Sequence, residues 1–128
     1  MEFMEIADVE LNEDAVQCIT VRDLSLFCSD IDRVLQAESD NRATVYCVWG
    51  EFVVERQLIN GGLRFSLPGC PNAFAWTITA GHDPAPEKVV VHGTINRTDH
   101  DPDFIESIED FLAAWKTGLE KQLCESHS

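Results

Sequence analysis

The sequence predicts an α+β fold: an antiparallel meander of about five to six strands packed on a long C-terminal helix, with one shorter helix near the N-terminus. Three observations carry this. Residues 43–96 alternate apolar and polar side chains in short runs broken by glycine and proline, as antiparallel strands do. Residues 102–123 space their apolar side chains three and four apart, which is the period of a helix. A shorter stretch of the same period begins at Leu24.

Taken in order, Glu5 to Val21 reads as one or two short strands. Ile6, Val9, Leu11, Val16 and Ile19 are its apolar positions, and Asn12-Glu13-Asp14 is a candidate turn. From Asp23 the period changes. Leu24, Phe27, Cys28, Ile31, Val34 and Leu35 fall on one face of a helix that should run to about Glu38, with Asp23 as its N-cap. Asp30 and Asp32 then face water.

The meander follows. Ala43 to Trp49 is apolar on both faces, as a central strand is. Gly50-Glu51 fits either a tight turn or a bulge. Glu51 to Ile59 is the next strand, and Asn60-Gly61-Gly62 is the strongest hairpin signal in the chain. Leu63, Phe65 and Leu67 alternate with Arg64 and Ser66, and Pro68-Gly69-Cys70-Pro71 breaks the strand. Phe74, Trp76 and Ile78 share one face, and Pro84 and Pro86 mark a loop. Val89, Val91 and Ile95 then line the core side, with Val90, His92, Thr94 and Asn96 opposite.

In the last helix Asp101 fits the N-cap and Pro102 the first turn, where a missing N–H costs nothing. Phe104, Ile105, Ile108, Phe111, Leu112, Trp115, Leu119 and Leu123 form one apolar stripe. Burying that stripe calls for a curved sheet wrapped around it. This element order resembles the helix-grip (START-like) lipid-binding folds over most of the chain. The acidic charge and the tryptophan-bearing final helix are similar to those of the small chaperones of type III secretion. In those chaperones a helix divides the two strand groups, and none is predicted here.

The 128 residues predict one domain, 1–128, and the 45% hydrophobic content is that of an ordinary globular chain. No apolar run approaches the roughly 20 residues of a membrane span. Met1 to Glu10 holds four acids and no base, unlike a secretory signal. Five scattered cysteines (Cys18, Cys28, Cys47, Cys70, Cys124) show no C-x-x-C spacing, so a reduced cytoplasmic protein is expected.

The formal charge of −14 is unevenly placed. Residues 1–40 hold eleven acids and two bases, a net of −9; residues 99–128 hold eight and two, a net of −6. The middle, 41–98, has four acids and five bases, a net of +1. Such a field repels nucleic acid and anionic lipid and attracts basic partners.

Candidate chemistry is sparse. Asp99, Asp101, Asp103 and Asp110 imitate calcium-loop spacing, but Phe104 stands where the loop needs glycine, and capping accounts for the acids. His82, Asp83, His92, His100 and Asp101 lack the spacing that fixes a metal site, and surface histidines are expected. Cys70 has only Arg64 nearby in sequence to activate it, so a turn role is expected. There is no G-x-S-x-G, no P-loop and no dinucleotide fingerprint. No catalytic residue, cofactor or metal is therefore assigned.

Two function classes remain. The first is a non-enzymatic interaction module (an inhibitor, immunity protein or chaperone) that meets a basic protein through Asp103, Glu106, Glu109 and Asp110. The alternative is a small-molecule-binding or catalytic domain. Its cavity would lie between sheet and C-terminal helix, lined by Phe74, Trp76, Val91, His92 and Trp115. Either class allows a homodimer, because a meander leaves edge strands to cover.

Overall fold

The computed structural model describes residues 1–10, 12–81, 87–96 and 101–125, with side chains in the last helix as far as Lys121. Strand β1 (Glu2–Ala7) leads into a short helix α1 (Glu13–Gln17), a 3-10 turn (Val21–Asp23) and a single-turn helix α2 (Leu24–Phe27). Six strands follow: β2 (Ile31–Ser39), β3 (Arg42–Cys47), β4 (Gly50–Ile59), β5 (Gly62–Ser66), β6 (Ala75–Ala80) and β7 (Val89–Thr94). The chain then closes with α3 (Pro102–Glu125). All seven strands form one antiparallel sheet in the order β1-β7-β6-β5-β4-β3-β2, so β1 and β2 are its edges.

Two N-terminal expectations are corrected. Asn12-Glu13-Asp14 is a helix start, not a turn: the Asn12 side chain accepts a hydrogen bond from Ala15 N at 2.8 Å. Val16 is buried from this helix and Ile19 from the segment after it, neither from a strand. The helix α1 is clamped to the β4–β5 hairpin. Glu13 accepts from Gly61 N at 2.8 Å, and Gln17 donates to Ile59 O at 3.1 Å and Gly62 O at 3.2 Å. Arg56 on β4 completes the clamp by donating to the carbonyls of Ile19 (2.7 Å) and Gln17 and to the Asn41 side chain at 2.8 Å.

The second correction concerns the helix expected from Asp23 to Glu38. It lasts one turn and then becomes β2, which raises the sheet to seven strands. Asp23 does not cap α2; its carboxylate accepts from Thr20 N at 3.0 Å in a capping box around the 3-10 turn. The misleading period has a structural cause. The β2–β3 register slips between Ile31 and Arg33, between Val34 and Gln36, and between Ala37 and Ser39. Each bulge sets two β2 residues against one on β3. Inward positions therefore recur every three residues, at Ile31, Val34 and Ala37, which imitates a helix face. Leu35, on the expected face, stays 42% exposed.

The later strands follow expectation, but the first turn of the meander is corrected: Gly50-Glu51 is neither turn nor bulge, and both residues belong to β4. A two-residue turn, Val48-Trp49, joins β3 to β4, with Cys47 opposite Gly50. Gly50 (φ +112°) closes that turn in a backbone region that side chains avoid. Asn60-Gly61 forms the β4–β5 turn, with Ile59 opposite Gly62. Asp101 caps α3: its carboxylate accepts from Asp103 N at 2.8 Å. Ile108, Phe111, Leu112, Trp115 and Leu119 are buried against the sheet at helical spacing.

The core is an aromatic stack between sheet and helix. Phe65 on β5 stacks on Trp76 of β6 at 5.4 Å and on Trp115 of α3 at 5.7 Å. Phe27 of α2 also stacks on Trp115, at 6.1 Å. Helix α3 comes so close to α2 that a Cβ on Gly118 would lie 1.7 Å from Phe27 O. Glycine at 118 is what allows that approach.

Candidate functional site

Of the expected pocket residues, Phe74 lines a cleft and Trp76 borders only a gap too narrow for water, whereas Val91 and Trp115 are packed into the core. Phe74, Trp76, Val91 and Trp115 are each at most 2% exposed, and three of them meet in the aromatic core: Phe74–Trp76 at 5.3 Å and Trp76–Trp115 at 6.2 Å. His92 is not brought to them. A Cβ on neighbouring Gly93 would face Leu112 of α3, so His92 points to the opposite side of the sheet. There its Nε2 lies 3.1 Å from Glu2 Oε1. His82, Asp83, Asp99 and His100 lie outside the described residues. Among the described residues no group of three or more His, Cys, Asp or Glu is gathered to hold a metal ion.

The cavity lies instead beside the start of α3. It is about 130 Å³ and opens to solvent. Trp49 from the β3–β4 turn and Phe52 from β4 form one wall, and Phe104 from the first turn of α3 forms another. Leu67, Cys70, Pro71, Asn72 and Phe74, from the end of β5 and the loop after it, supply the floor and rim. That loop turns tightly, with Cys70 N bonded to Leu67 O at 2.9 Å and Ala73 N to Cys70 O at 3.0 Å.

Trp49 is the central residue of this cleft. Its ring meets Phe111 at 4.9 Å, Phe74 edge-on at 5.4 Å and Phe104 at 6.4 Å. Its indole Nε1 donates to Ser107 Oγ at 2.9 Å, and that hydroxyl donates to Phe104 O at 2.6 Å. Sequence reading missed Trp49 and Phe104 as site residues. The available signal was a tryptophan at a strand end next to glycine, a place where a large ring overhangs the end of a sheet.

The chemistry of the cleft is that of an apolar binding surface. Among the described residues that line it, Cys70 is the one titratable side chain and none is a base or a cation. The thiols of Cys28, between α2 and β2, and Cys47, at the end of β3, are inert by burial: the Cys28 thiol is pushed up to about 12, and Cys47 is also raised, in both cases first by loss of hydration.

A different surface carries the acids. Asp103, Glu106, Glu109 and Asp110 are all exposed, and none forms an ion pair among the described residues. Glu109 shares a second hollow of about 200 Å³ with Phe3, Met4, Glu5 and Leu112. Asp110 lies close enough to Asp30 to help hold its carboxyl above the usual range, although burial of Asp30 is the larger cause.

No family model and no curated protein matches the chain. Solved structures do resemble it. The protein XoxI from Bacillus cereus superposes with a TM-score of 0.69 at 11% identity, over 99% of this chain and 98% of that one. A START superfamily protein from Mycobacterium smegmatis gives 0.62 at 11%, over 99% of each chain. An uncharacterised protein from Bacillus thuringiensis gives 0.60 at 13%, over 91% of this chain and 97% of that one. At such identities the likeness shows the fold, and the fold is START-like.

Proposed function

We propose that the protein binds a small apolar molecule in the cleft between Trp49, Phe52, Leu67 and Phe104. The carrying observation is the cleft itself: an open hollow of about 130 Å³ lined mostly by apolar and aromatic side chains. An apolar protein cavity of roughly 150 Å³ accommodates benzene, so this cleft suits a single ring or a short branched chain. The START-like fold supports the reading, since a sheet wrapped on a helix places such hollows between the two. Among the described residues the lining holds no acid–base pair, which supports binding.

The test is a titration with benzene followed by amide NMR. Shifts should concentrate on Trp49, Phe52, Leu67 and Phe104, and a filled variant, Cys70→Phe, should abolish them. Shifts spread evenly over the sheet, or unchanged in the variant, sink the proposal.

A second reading is favoured by the exposed, unpaired carboxylates of α3. Asp103, Glu106, Glu109 and Asp110 would steer a basic protein toward this helix. Its association rate should fall at least tenfold between 0.05 and 0.5 M salt, by screening. A salt-independent rate removes this reading.

A further inference from the structure

The sheet has two edges, and they are finished differently. On β2 the pairing slips at three places, and such bulges bend an edge strand away from further pairing. On β1 six consecutive residues pair with β7 without a slip. Met1 and Ile95 exchange both backbone hydrogen bonds, each at 3.0 Å. In an antiparallel ladder such pairs alternate with pairs that exchange none, so Phe3, Glu5 and Ala7 bond to β7. The N–H and C=O groups of Glu2, Met4 and Ile6 therefore point away from the sheet. No other described residue takes up these three N–H groups.

Helix α3 passes this edge without closing it. The hollow of about 200 Å³ left between them is lined by Phe3, Met4 and Glu5 together with Glu109 and Leu112. Successive side chains of a strand point to opposite faces, so a space bordered by three consecutive residues runs along the edge itself. Glu5 stands opposite Val91, a fully buried core residue, which puts its carboxylate on the face toward α3 beside the apolar Phe3 and Ala7. Neither Glu5 nor Glu109 forms an ion pair among the described residues. Met4, opposite His92, and Ile6 share the other face, with Met4 exposed and Ile6 half-buried.

An edge of this kind takes an added strand, held by main-chain hydrogen bonds and selected by its alternate side chains. Those turned toward α3 enter the hollow beside two carboxylates, which calls for Lys or Arg, whose methylenes can lie on Phe3 and Leu112. Those on the other face lie beside Met4 and Ile6, which calls for apolar residues. A second copy of this chain fits badly: β1 paired with β1 brings Glu5 and Glu109 of both copies to one edge, and like charges oppose it. We infer that β1 is a docking edge for an extended segment of a basic protein, in which Lys or Arg alternates with apolar residues and the cations enter the Glu5–Glu109 hollow. This rests on the reading that the acids of α3 draw a basic protein, and the test separates the two.

The probe is an acetylated, amidated hexapeptide of alternating lysine and valine, titrated into the whole chain at low salt and followed by amide NMR. At saturation the Glu2, Met4 and Ile6 amides should exchange with solvent about tenfold more slowly, while Phe3, Glu5 and Ala7, already bonded to β7, should change less than about twofold. Met4→Pro removes one outward N–H without breaking a bond to β7 and should weaken the peptide about tenfold. Glu109→Gln should weaken it about fivefold. A fully N-methylated peptide, equal in charge but without N–H groups, should bind about tenfold more weakly than the parent peptide. If Met4→Pro does not fold, the exchange pattern and the methylated peptide decide. Shifts confined to α3, uniform protection along β1, or equal binding of the methylated peptide overturns the docking edge and leaves the steering by α3 standing. Protection of Glu2, Met4 and Ile6 that grows with the concentration of the free chain makes a second copy the occupant and overturns the inference too. No binding of the lysine–valine peptide at low salt overturns both readings.

Discussion

Two regions built from the same residue types behave differently along α3. Under its middle, Trp115, Trp76 and Phe65 stack with centroids 5.4–6.2 Å apart and almost no exposure. At its start, Trp49, Phe52, Phe104 and Phe74 are equally aromatic but enclose an open hollow. The difference is backing. The middle rings are held between the sheet and α2, with Gly118 letting the two helices meet. Among the described residues, the first turn of α3 meets the Val48-Trp49 turn, Phe52 of β4 and the loop after β5 around an open cleft. Aromatic content therefore does not say where a protein is solid; the number of elements converging on the rings does.

This contrast is open to attack at several points, from large effects to small. The thiols give the largest. Cys28 lies in the solid region with its thiol pushed up from 9.0 to about 12, so at pH 8 its thiolate fraction is roughly a thousandfold below that of an unshifted cysteine. Iodoacetamide labelling resolved by mass spectrometry should find Cys70 modified under native conditions and Cys28 only after unfolding. Saturating benzene should slow Cys70 but not the exposed Cys18. Comparable native rates for Cys28 and Cys70 would break the contrast.

Truncation comes next. Phe65→Ala should cost about 3–5 kcal/mol, because a fully buried ring leaves a cavity that its neighbours cannot fill. Phe52→Ala, half-buried at the cleft, should cost about 1 kcal/mol. Urea denaturation of both variants measures the difference, and equal losses would show that the cleft is as tightly built as the core.

Gly118→Ala carries a sign that exposes the packing argument. In an ordinary helix interior, replacing glycine by alanine gains about 1 kcal/mol. Here the new methyl meets the Phe27 carbonyl, and a loss of about 3 kcal/mol is expected. A stabilised variant would mean that α2 and α3 do not touch as described.

The smallest effect concerns Asp30, whose carboxyl is raised by burial and secondarily by Asp110. A folded value above the unfolded one gives stability that is full below the unfolded pKa of 3.8 and declines as pH rises through the folded pKa. Asp30→Asn should therefore be more stable than the parent at pH 7, by about 0.5 kcal/mol or less, and no different at pH 2.5. Thermal melts at both pH values check this, and a destabilised variant at pH 7 reverses the sign.

Much of this architecture was legible in the sequence, for reasons that the elements make plain. Helix α3 is a long amphipathic stripe with its cap residue in place, and the alternation of β5 to β7 marks the core face, although Ala75 and Val90, expected opposite it, are buried too. The segment 31–39 was not legible, because three bulges turned a strand's period of two into a period of three. The short helix α1 hid for another reason: five residues are too few to show a helical period, and only Asn12 as cap gave a signal. The site was the least legible part. Phe74, Trp76 and Trp115 were correctly read as lying between sheet and helix, but whether rings there close or leave a gap depends on what backs them. That is decided by Trp49 and Phe104, which are 55 residues apart in the chain and brought together only by the fold.

The most direct test of the contrast is a crystal pressurised with xenon, which enters apolar cavities without needing any polar partner. Xenon density should appear between Trp49, Phe52, Leu67 and Phe104, with none beside Trp115 or Phe65. Xenon in the Trp115 stack, or an empty cleft at full pressure, would contradict the account.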